Sequence, residues 1–318
     1  MSSLVFFHLL ANRQGAPAAL LLAQDETAGA ACAGAAGLDG EAMRTLGAQL
    51  ACFYPERLGP APLLQAQGWR PLDEAGVLRG AAPFGPLPAG VAWRAGDWYL
   101  APPAKAADQR AASRTLALQL VQLLARDADT HEIEALLRHD PSLSYHLLRL
   151  VNSQGIGNGR RVSSFSQAIL ILGRQQLRRW LNLMLYAARP DDVRAAMLLA
   201  RVAVRAHALA LLARAAGMDR LAQEQAFMCG MFSLLGVLFG LPLAELLQPL
   251  QVDEAVQGAL LAQRGELGAL LALLLAAERG DFAALARQLQ GQGLAPAEFN
   301  GIVLDAYLWM LGVLDNGA

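Results

Sequence analysis

The chain has 318 residues, of which 55% are apolar and 17% are charged, and its formal net charge is −1. Because an average domain carries about 25% charged residues, much of this chain is expected to be buried, and its near-neutral balance exerts no long-range attraction on nucleic acid or anionic lipid. Three widely spaced cysteines exclude a disulfide framework and a four-thiolate zinc site, and they fit a cytoplasmic protein.

Residues 1–105 predict a small α/β domain. Apolar runs at Leu4–Leu10 and Ala18–Ala23 have the length of strands, and the turn-forming segment Asn12–Gly15 joins them. Further elements expected here, in chain order, are a helix within Ala42–Phe53, a strand over Gly68–Leu72, and a hairpin made of Val91–Trp93 and Trp98–Leu100. A polar connector, residues 106–114, follows.

From Thr115 onward the spacing of apolar residues predicts helices, so residues 115–318 are expected to form an all-α domain. The predicted fold class is therefore α+β and predominantly α. The helices are expected at 166–186, 191–216, 222–239, 243–248, 252–264, 266–279, 281–290 and 296–314, with Gly217, Gly265, Gly280 and Gly291 at helix ends. The uncharged run Phe227–Ala244 contains glycines and a proline, which favours a buried core helix over a membrane span.

Aromatic residues are dense in the first domain, where Trp69, Trp93, Trp98 and Tyr99 fall within a short span. So small a domain needs a partner surface to bury them. The sheet is therefore predicted to pack against the helical domain.

A motif in the helical region resembles the HDOD family. Its order is Asp140-Pro141, an apolar helix ending at Asn152-Ser153, a Gly-rich loop, and a helix with Ala168-Ile169 and Leu172-Gly173. Pro141 suits the first turn of a helix and Asp140 its N-cap. The resemblance covers about residues 110–318, and the residues it marks as structural are Asp140, Pro141, Asn152, Ser153, Gly173 and Gly236.

The family is similar to metal-dependent HD phosphohydrolases that have lost their metal ligands. The segment Phe227–Leu238 is similar to the family's Gly-Leu-Leu-His-Asp-Ile-Gly-Lys core, with Ser233 at the His position and Leu234 at the Asp position. A hydroxyl and an isobutyl group cannot replace imidazole and carboxylate as ligands. The resemblance thus implies no catalytic residue, no metal and no cofactor, with Ser233 and Leu234 as vestigial positions.

Two basic segments are candidates for ligand or partner contacts. The loop Gln154–Arg161 is expected to be a helix connector, with anion binding by Arg160 and Arg161 as the alternative. On a later helix, Arg174 and Arg178 lie beside Trp180 and predict a solvated face or a protein contact. Nucleic acid is not expected as a partner, because nucleic-acid-binding surfaces usually carry many more cations.

In the YuxH-like group of the family, an EAL-type cyclic-di-GMP phosphodiesterase domain precedes the HDOD domain. Gly68–Asp73 and Gly96–Pro102 resemble strand segments of that domain. An intact EAL barrel needs about 250 residues, so the first 105 residues are interpreted as a truncated, degenerate remnant.

The expected function is therefore that of a non-catalytic bacterial signal-transduction protein in the cytoplasm. Its expected partners are other signalling proteins or a second copy of the chain, without a membrane. Two alternatives stay open. One is a module that binds a cyclic dinucleotide or a ppGpp-like nucleotide in the groove between the domains or at the Gly-rich loop. The other is a residual metal-dependent HD-type phosphohydrolase.

Overall fold

The computed structural model describes residues 4–24, 38–80, 84–102, 192–248 and 252–317, together with isolated residues between 119 and 179. A small sheet near the amino terminus is followed by a large set of helices. The predicted fold class, α+β and predominantly α, is confirmed.

The sheet has six strands in the described residues, in the order β4-β3-β2-β1-β6-β5. They are β1 Val5–Ala11, β2 Pro17–Gln24, β3 Ala51–Pro55, β4 Arg70–Leu72, β5 Val77–Leu78 and β6 Trp93–Arg94. β1 pairs antiparallel with β2, whereas β2, β3 and β4 run parallel. The carboxyl ends of these three strands therefore meet at one edge of the sheet.

Two short helices lie among the strands, α1 over Gly40–Gln49 and α2 over Pro62–Ala66. The predicted helix over Ala42–Phe53 was too long: Asp39 caps α1 and the backbone becomes extended at Leu50. The residues that follow form β3 instead, because pairing beside β2 overrides their helical spacing.

The predicted hairpin of Val91–Trp93 and Trp98–Leu100 was wrong. Trp98–Leu100 is a 3-10 turn, and the strand Trp93–Arg94 pairs with β1 and β5. Gly96 explains the difference: its φ is +87°, and a Cβ there would lie 2.8 Å from the Gly80 carbonyl oxygen. The chain thus turns tightly against Gly80 and does not continue as a second strand.

The helices of the carboxyl-terminal part follow the predicted positions closely. They are α3 Ala195–Ala215, α4 Arg220–Phe232, α5 Leu235–Phe239, α6 Leu243–Leu247, α7 Glu254–Ala262, α8 Gly265–Glu278, α9 Phe282–Gln292 and α10 Pro296–Gly317. The predicted helix 222–239 is divided at Ser233 and Leu234. Gly291 lies inside α9, which ends at Gly293 with φ +69°. The predicted helix 166–186 lies outside the described residues apart from Arg179.

The sheet packs directly against the helices, as the aromatic residues predicted. Asn300 on α10 accepts a hydrogen bond from the Val5 amide at 3.0 Å, and the Tyr307 hydroxyl donates to the Phe7 carbonyl. Trp69, Trp98 and Tyr99 are buried in the same apolar cluster as the helices, whereas Trp93 is half-buried against a second, smaller cluster. The two parts therefore share one core.

Four stretches of the described residues are long and apolar enough to cross a membrane: Ala195–Ala215, Arg220–Phe239, Glu254–Glu278 and Pro296–Leu314. The first of them is the most enclosed, with 78% of its apolar window buried inside the protein. It also carries the buried cations Arg201 and Arg205.

Candidate functional site

The position that resembles a metal-binding His-Asp pair lies at the end of α4. Ser233 follows the last residue of the helix, and Leu234 is buried beside it. The Ser233 hydroxyl donates to the Gly230 carbonyl at 2.7 Å and accepts from Arg205 Nη1 at 3.0 Å. Both hydrogen-bonding functions of this hydroxyl are thus used within the protein.

Gly230 allows α3 and α4 to approach closely at this point. A Cβ on Gly230 would lie 2.4 Å from the Ala206 Cα, so a larger residue would force the helices apart. The close approach brings Arg205 on α3 alongside Ser233. Gly230 therefore places the Arg205 guanidinium beside Ser233.

Arg205 is held by a buried carboxylate on α8. It donates to Glu278 through Nε at 2.8 Å and Nη2 at 2.6 Å, in a bidentate pair. One turn earlier, Arg201 donates to the Tyr99 hydroxyl at 2.8 Å and lies 3.5 Å from Glu278. Burial raises the pKa of Glu278, but the two guanidinium groups outweigh burial and hold that pKa below its usual range.

These residues do not fit a divalent metal. The described part of the chain holds no group of three His, Cys, Asp or Glu side chains that could bind one. The Ser233 hydroxyl and the Glu278 carboxylate already face a guanidinium. Ser233 and Glu278 are therefore engaged with Arg205 and do not form a metal site.

His207, on the same helix, packs against an aromatic ring. Its imidazole stacks on Trp309 with a centroid distance of 4.9 Å and an interplanar angle of 7°. Burial, followed by the charge of Arg179, lowers its pKa to about 4. It is a neutral packing residue at pH 7.

A groove opens at the edge of the sheet where the parallel strands end. It has a volume of about 710 Å³, which lies within the usual range of ligand pockets, about 300–1,000 Å³. Its walls come from the ends of β2 and β3, from the turn after β4, and from the start of α9. Ligands of α/β sheets commonly bind outside the carboxyl ends of the strands. We call this feature the strand-end groove.

The charged wall of the strand-end groove is a cluster of two cations around one carboxylate. Arg57 Nε lies 3.0 Å from Glu74, and Arg79 Nη2 lies 2.5 Å from its other oxygen. Burial raises the pKa of Glu74, but the hydrogen bonds and charges of Arg57 and Arg79 outweigh it and lower that pKa overall. The cluster has a net charge of +1 and its guanidinium groups are half exposed, so they can also contact a ligand.

His8 lies in the floor of the groove, on β1 opposite Leu21. Its pKa is lowered to about 4 by burial, and next by the charges of Arg201 and Arg79. The imidazole is therefore unprotonated at neutral pH. A ring nitrogen without a proton can accept a hydrogen bond or a proton.

The helical domain closes the groove with the turn between α8 and α9. Gly280, Asp281, Phe282 and Ala283 line it, and the Asp281 carboxylate caps α9 by accepting from the Ala284 amide at 2.9 Å. The opposite walls of the groove, one from the sheet and one from the turn before α9, thus carry guanidinium and carboxylate groups.

Most residues singled out from the sequence lie outside the described residues. These are Asp140, Pro141, Asn152, Ser153, Arg160, Arg161, Gly173, Arg174 and Arg178. Gly236 is described: its carbonyl accepts from the Leu241 amide at 3.1 Å, and a Cβ there would lie 3.0 Å from the Leu241 carbonyl oxygen. It therefore fits a tight turn at the end of α5.

Sequence reasoning missed the residues of the strand-end groove and the Arg205–Glu278 pair. Arg57 and Glu74 are 17 positions apart, and Arg205 and Glu278 are 73 apart, so no local spacing connects them. One sequence feature pointed to the pair: Arg201 and Arg205 occur in the middle of α3, among mostly apolar residues. Buried arginines need a partner, which the sequence alone does not name.

Comparison with known proteins gives one family and two curated relatives. Residues 113–247 match the profile of the HDOD domain. A Vibrio cholerae protein named cyclic di-GMP phosphodiesterase CdgJ is 29% identical over 199 residues, 61% of this chain and 45% of that protein. The Bacillus subtilis protein YuxH, which is uncharacterized, is 25% identical over 198 residues, 62% of this chain and 47% of that protein. The chain thus spans about half the length of the curated relatives it matches.

Among solved structures, a Shewanella amazonensis protein assigned provisionally as a phosphohydrolase matches with a TM-score of 0.44 and 17% sequence identity. The match covers 64% of this chain and 93% of that protein.

The prediction of a non-catalytic protein is contradicted by the Vibrio relative, whose name is that of a phosphodiesterase. The prediction rested on the loss of ligands at Ser233 and Leu234. The missing ligands concern one possible metal site, between α4 and α5. Their absence does not exclude a hydrolytic site elsewhere in the chain, such as at the ends of the parallel strands. The motif from Asp140 to Gly173 and the matched profile agree in place, and the chain contains an HDOD domain over residues 113–247.

Proposed function

We propose that the chain acts in cyclic-dinucleotide signalling as a phosphodiester hydrolase that binds its ligand in the strand-end groove. The observation that carries this proposal is the position of Arg57 and Arg79. Arg57 follows the end of β3 and Arg79 follows the end of β5, each of which pairs with a parallel neighbour, in a chain related to a protein named cyclic di-GMP phosphodiesterase. A sheet edge of this kind is a common place for ligands.

The lining suits a ligand that has phosphates and guanine bases. A guanidinium binds phosphate oxygens and the O6/N7 edge of guanine through paired N–H donors. The carboxylates of Glu74 and Asp281 accept hydrogen bonds, and the guanine amino group donates them. A mixed wall of this kind fits a guanine dinucleotide better than it fits a bare anion.

Hydrolysis opens the ring of a cyclic dinucleotide by adding one water molecule across one P–O bond. One product end carries a phosphate and the other a hydroxyl, which receives a proton from the water. In this proposal Arg57 and Arg79 neutralise the charge on the phosphate. His8 accepts the proton of the attacking water, because it lines the groove with an unprotonated imidazole; burial lowers its pKa to about 4, so it is a weaker base than an exposed histidine.

We also propose that the protein is cytoplasmic. The described cysteines, Cys52 and Cys229, are free thiols, as in a reducing compartment. Although Ala195–Ala215 is apolar enough to span a membrane, it carries Arg201 and Arg205 near its centre. Each such charge costs about 2.5–3.5 kcal/mol in a membrane helix, which favours packing within the protein.

The test uses the full chain and cyclic di-GMP, with binding followed by calorimetry and the linear product followed by chromatography. The variant Arg57→Ala/Arg79→Ala is expected to lose affinity about tenfold or more, because charge-assisted hydrogen bonds disappear. The matched control Arg264→Ala/Arg287→Ala removes the same charge from exposed positions and is expected to bind like the wild type. His8→Gln is expected to bind normally and to turn over more slowly.

The outcomes separate binding from hydrolysis. Wild-type protein that neither binds the dinucleotide nor produces linear product would contradict the whole proposal. Binding without product would overturn the hydrolase and leave the groove as a nucleotide-sensing site. Equal losses in the two double variants would show that the effect comes from overall charge and not from the groove.

A further inference from the structure

Three protein oxygen atoms surround one buried guanidinium where α3, α4 and α8 meet. Arg205 donates to both carboxylate oxygens of Glu278, at 2.8 and 2.6 Å, and to the Ser233 hydroxyl at 3.0 Å. Arg205 is 6% exposed. A cluster of oxygens around a positive charge in the protein interior is also the arrangement by which proteins hold metal ions.

We propose that Arg205 is the resident cation of the helical domain: its guanidinium fills the place that corresponds to the metal centre of HD phosphohydrolases, and no divalent ion binds there. Ser233 marks this place because it stands at the position of the metal-binding His in the sequence motif. The Arg205 side chain is bonded to that same residue.

The charge balance argues strongly against a metal at this place. Arg201 and Arg205 contribute two positive charges and Glu278 one negative charge, so the described network has a net charge of +1. A divalent ion would raise the net charge to +3 in a buried site with one carboxylate. Uncompensated buried charge is costly, so the ion would be excluded unless a guanidinium left.

The geometry of the two helices keeps the guanidinium in place. The absent Cβ of Gly230 lets α4 approach the backbone at Arg205 and Ala206. Glu278, near the end of α8, holds the opposite side of the guanidinium with a bidentate pair, the strongest geometry for such a contact. A guanidinium stays charged at all accessible pH values, so this cation is permanent.

The first test compares three full-length variants by thermal unfolding. Arg205→Met keeps most of the side-chain volume but removes the charge, and its Tm is expected to fall by about 10 °C, since breaking a buried pair is strongly destabilising. Arg205→Lys keeps the charge without the bidentate geometry, and its Tm is expected to lie between those of wild type and Arg205→Met. The exposed control on the same helix, Arg214→Met, is expected to unfold like the wild type.

An Arg205→Met protein as stable as Arg205→Lys would overturn the proposal, because the positive charge would then be dispensable. If Arg205→Lys folds and Arg205→Met does not, the proposal is supported.

A second measurement needs no variant. Wild-type crystals soaked in manganese chloride are expected to show no anomalous scattering peak beside Ser233 or Glu278. A manganese ion coordinated by either residue would overturn the proposal. An ion bound elsewhere on the chain agrees with it, and neither measurement depends on the cyclic-dinucleotide function proposed above.

Discussion

Arg201 on α3 donates a hydrogen bond through Nε to the hydroxyl of Tyr99, at 2.8 Å. Tyr99 lies in the 3-10 turn that follows the sheet, so this bond joins the amino-terminal domain to the helical one. Both side chains are buried, and Arg201 also lies 3.5 Å from Glu278. Because Glu278 lies two residues before the groove-lining Gly280, this buried network lies next to the strand-end groove along the chain.

Removing the Tyr99 hydroxyl tests this link. Tyr99→Phe leaves a buried guanidinium donor without its acceptor, and it is expected to lower the free energy of unfolding by about 1–3 kcal/mol. Chemical denaturation measures the change. Tyr54→Phe is the matched control: it removes a hydroxyl that accepts a hydrogen bond from the side-chain amide of the exposed Gln65 at 2.9 Å, and a smaller loss of about 0.5–1.5 kcal/mol is expected. Equal losses would show that the Arg201 bond has no special weight.

The packing of the sheet on α10 predicts a second effect. Asn300→Ala removes the acceptor of the buried Val5 amide, which is expected to cost about 1–3 kcal/mol and to speed hydrogen exchange at Val5. The comparison is Asn12→Ala, because the Asn12 side chain accepts hydrogen bonds from Gln14 and Ala16 within its own turn. Protection of Val5 that survives Asn300→Ala would mean that β1 is held without this bond.

Acid is expected to destabilise the protein through its buried histidines. Burial lowers the pKa of His8 and of His207 from 6.5 to about 4. The unfolded chain therefore binds more protons between these values, so stability falls as the pH falls from about 6.5 to about 4 and levels off below. Each group accounts for on the order of 3 kcal/mol across that window.

Denaturation at several pH values between 4 and 7 measures this dependence. The double variant His8→Gln/His207→Gln is expected to show a clearly flatter profile than the wild type. An unchanged profile would place the acid sensitivity in other groups.

The sequence predicted the helices well and the sites poorly, for a physical reason. Helices such as α3 and α9 follow from local apolar spacing and from caps such as Asp281, which act over a few residues. The sequence did not predict β3, because Ala51–Pro55 becomes a strand by pairing with β2, about 30 residues earlier in the chain, and its local apolar spacing resembled a continuation of α1. The strand-end groove has the same origin: the pairing of β3 with β4 brings Arg57 near Glu74, and the packing of the sheet on the helices adds the start of α9.

The approach of α3 and α4 gives the final prediction. A Cβ added at Gly230 would meet the backbone of Ala206 at 2.4 Å, and backbone cannot move aside as a flexible side chain can. Gly230→Ala is therefore expected to destabilise the protein by about 1–3 kcal/mol, the usual cost of overpacking. It is also expected to disturb the hydrogen bond between Ser233 and Arg205, because Arg205 is the neighbour of Ala206 in the chain.

The control is Gly258, which lies inside α7 and has open space around its Cβ position. Gly258→Ala is expected to stabilise the protein by about 0.5–1 kcal/mol, because alanine loses less backbone entropy in a helix. Thermal unfolding of both variants checks the pair: a Gly230→Ala protein at least as stable as Gly258→Ala would show that the two helices can separate freely, and the close approach would then not be what positions Arg205.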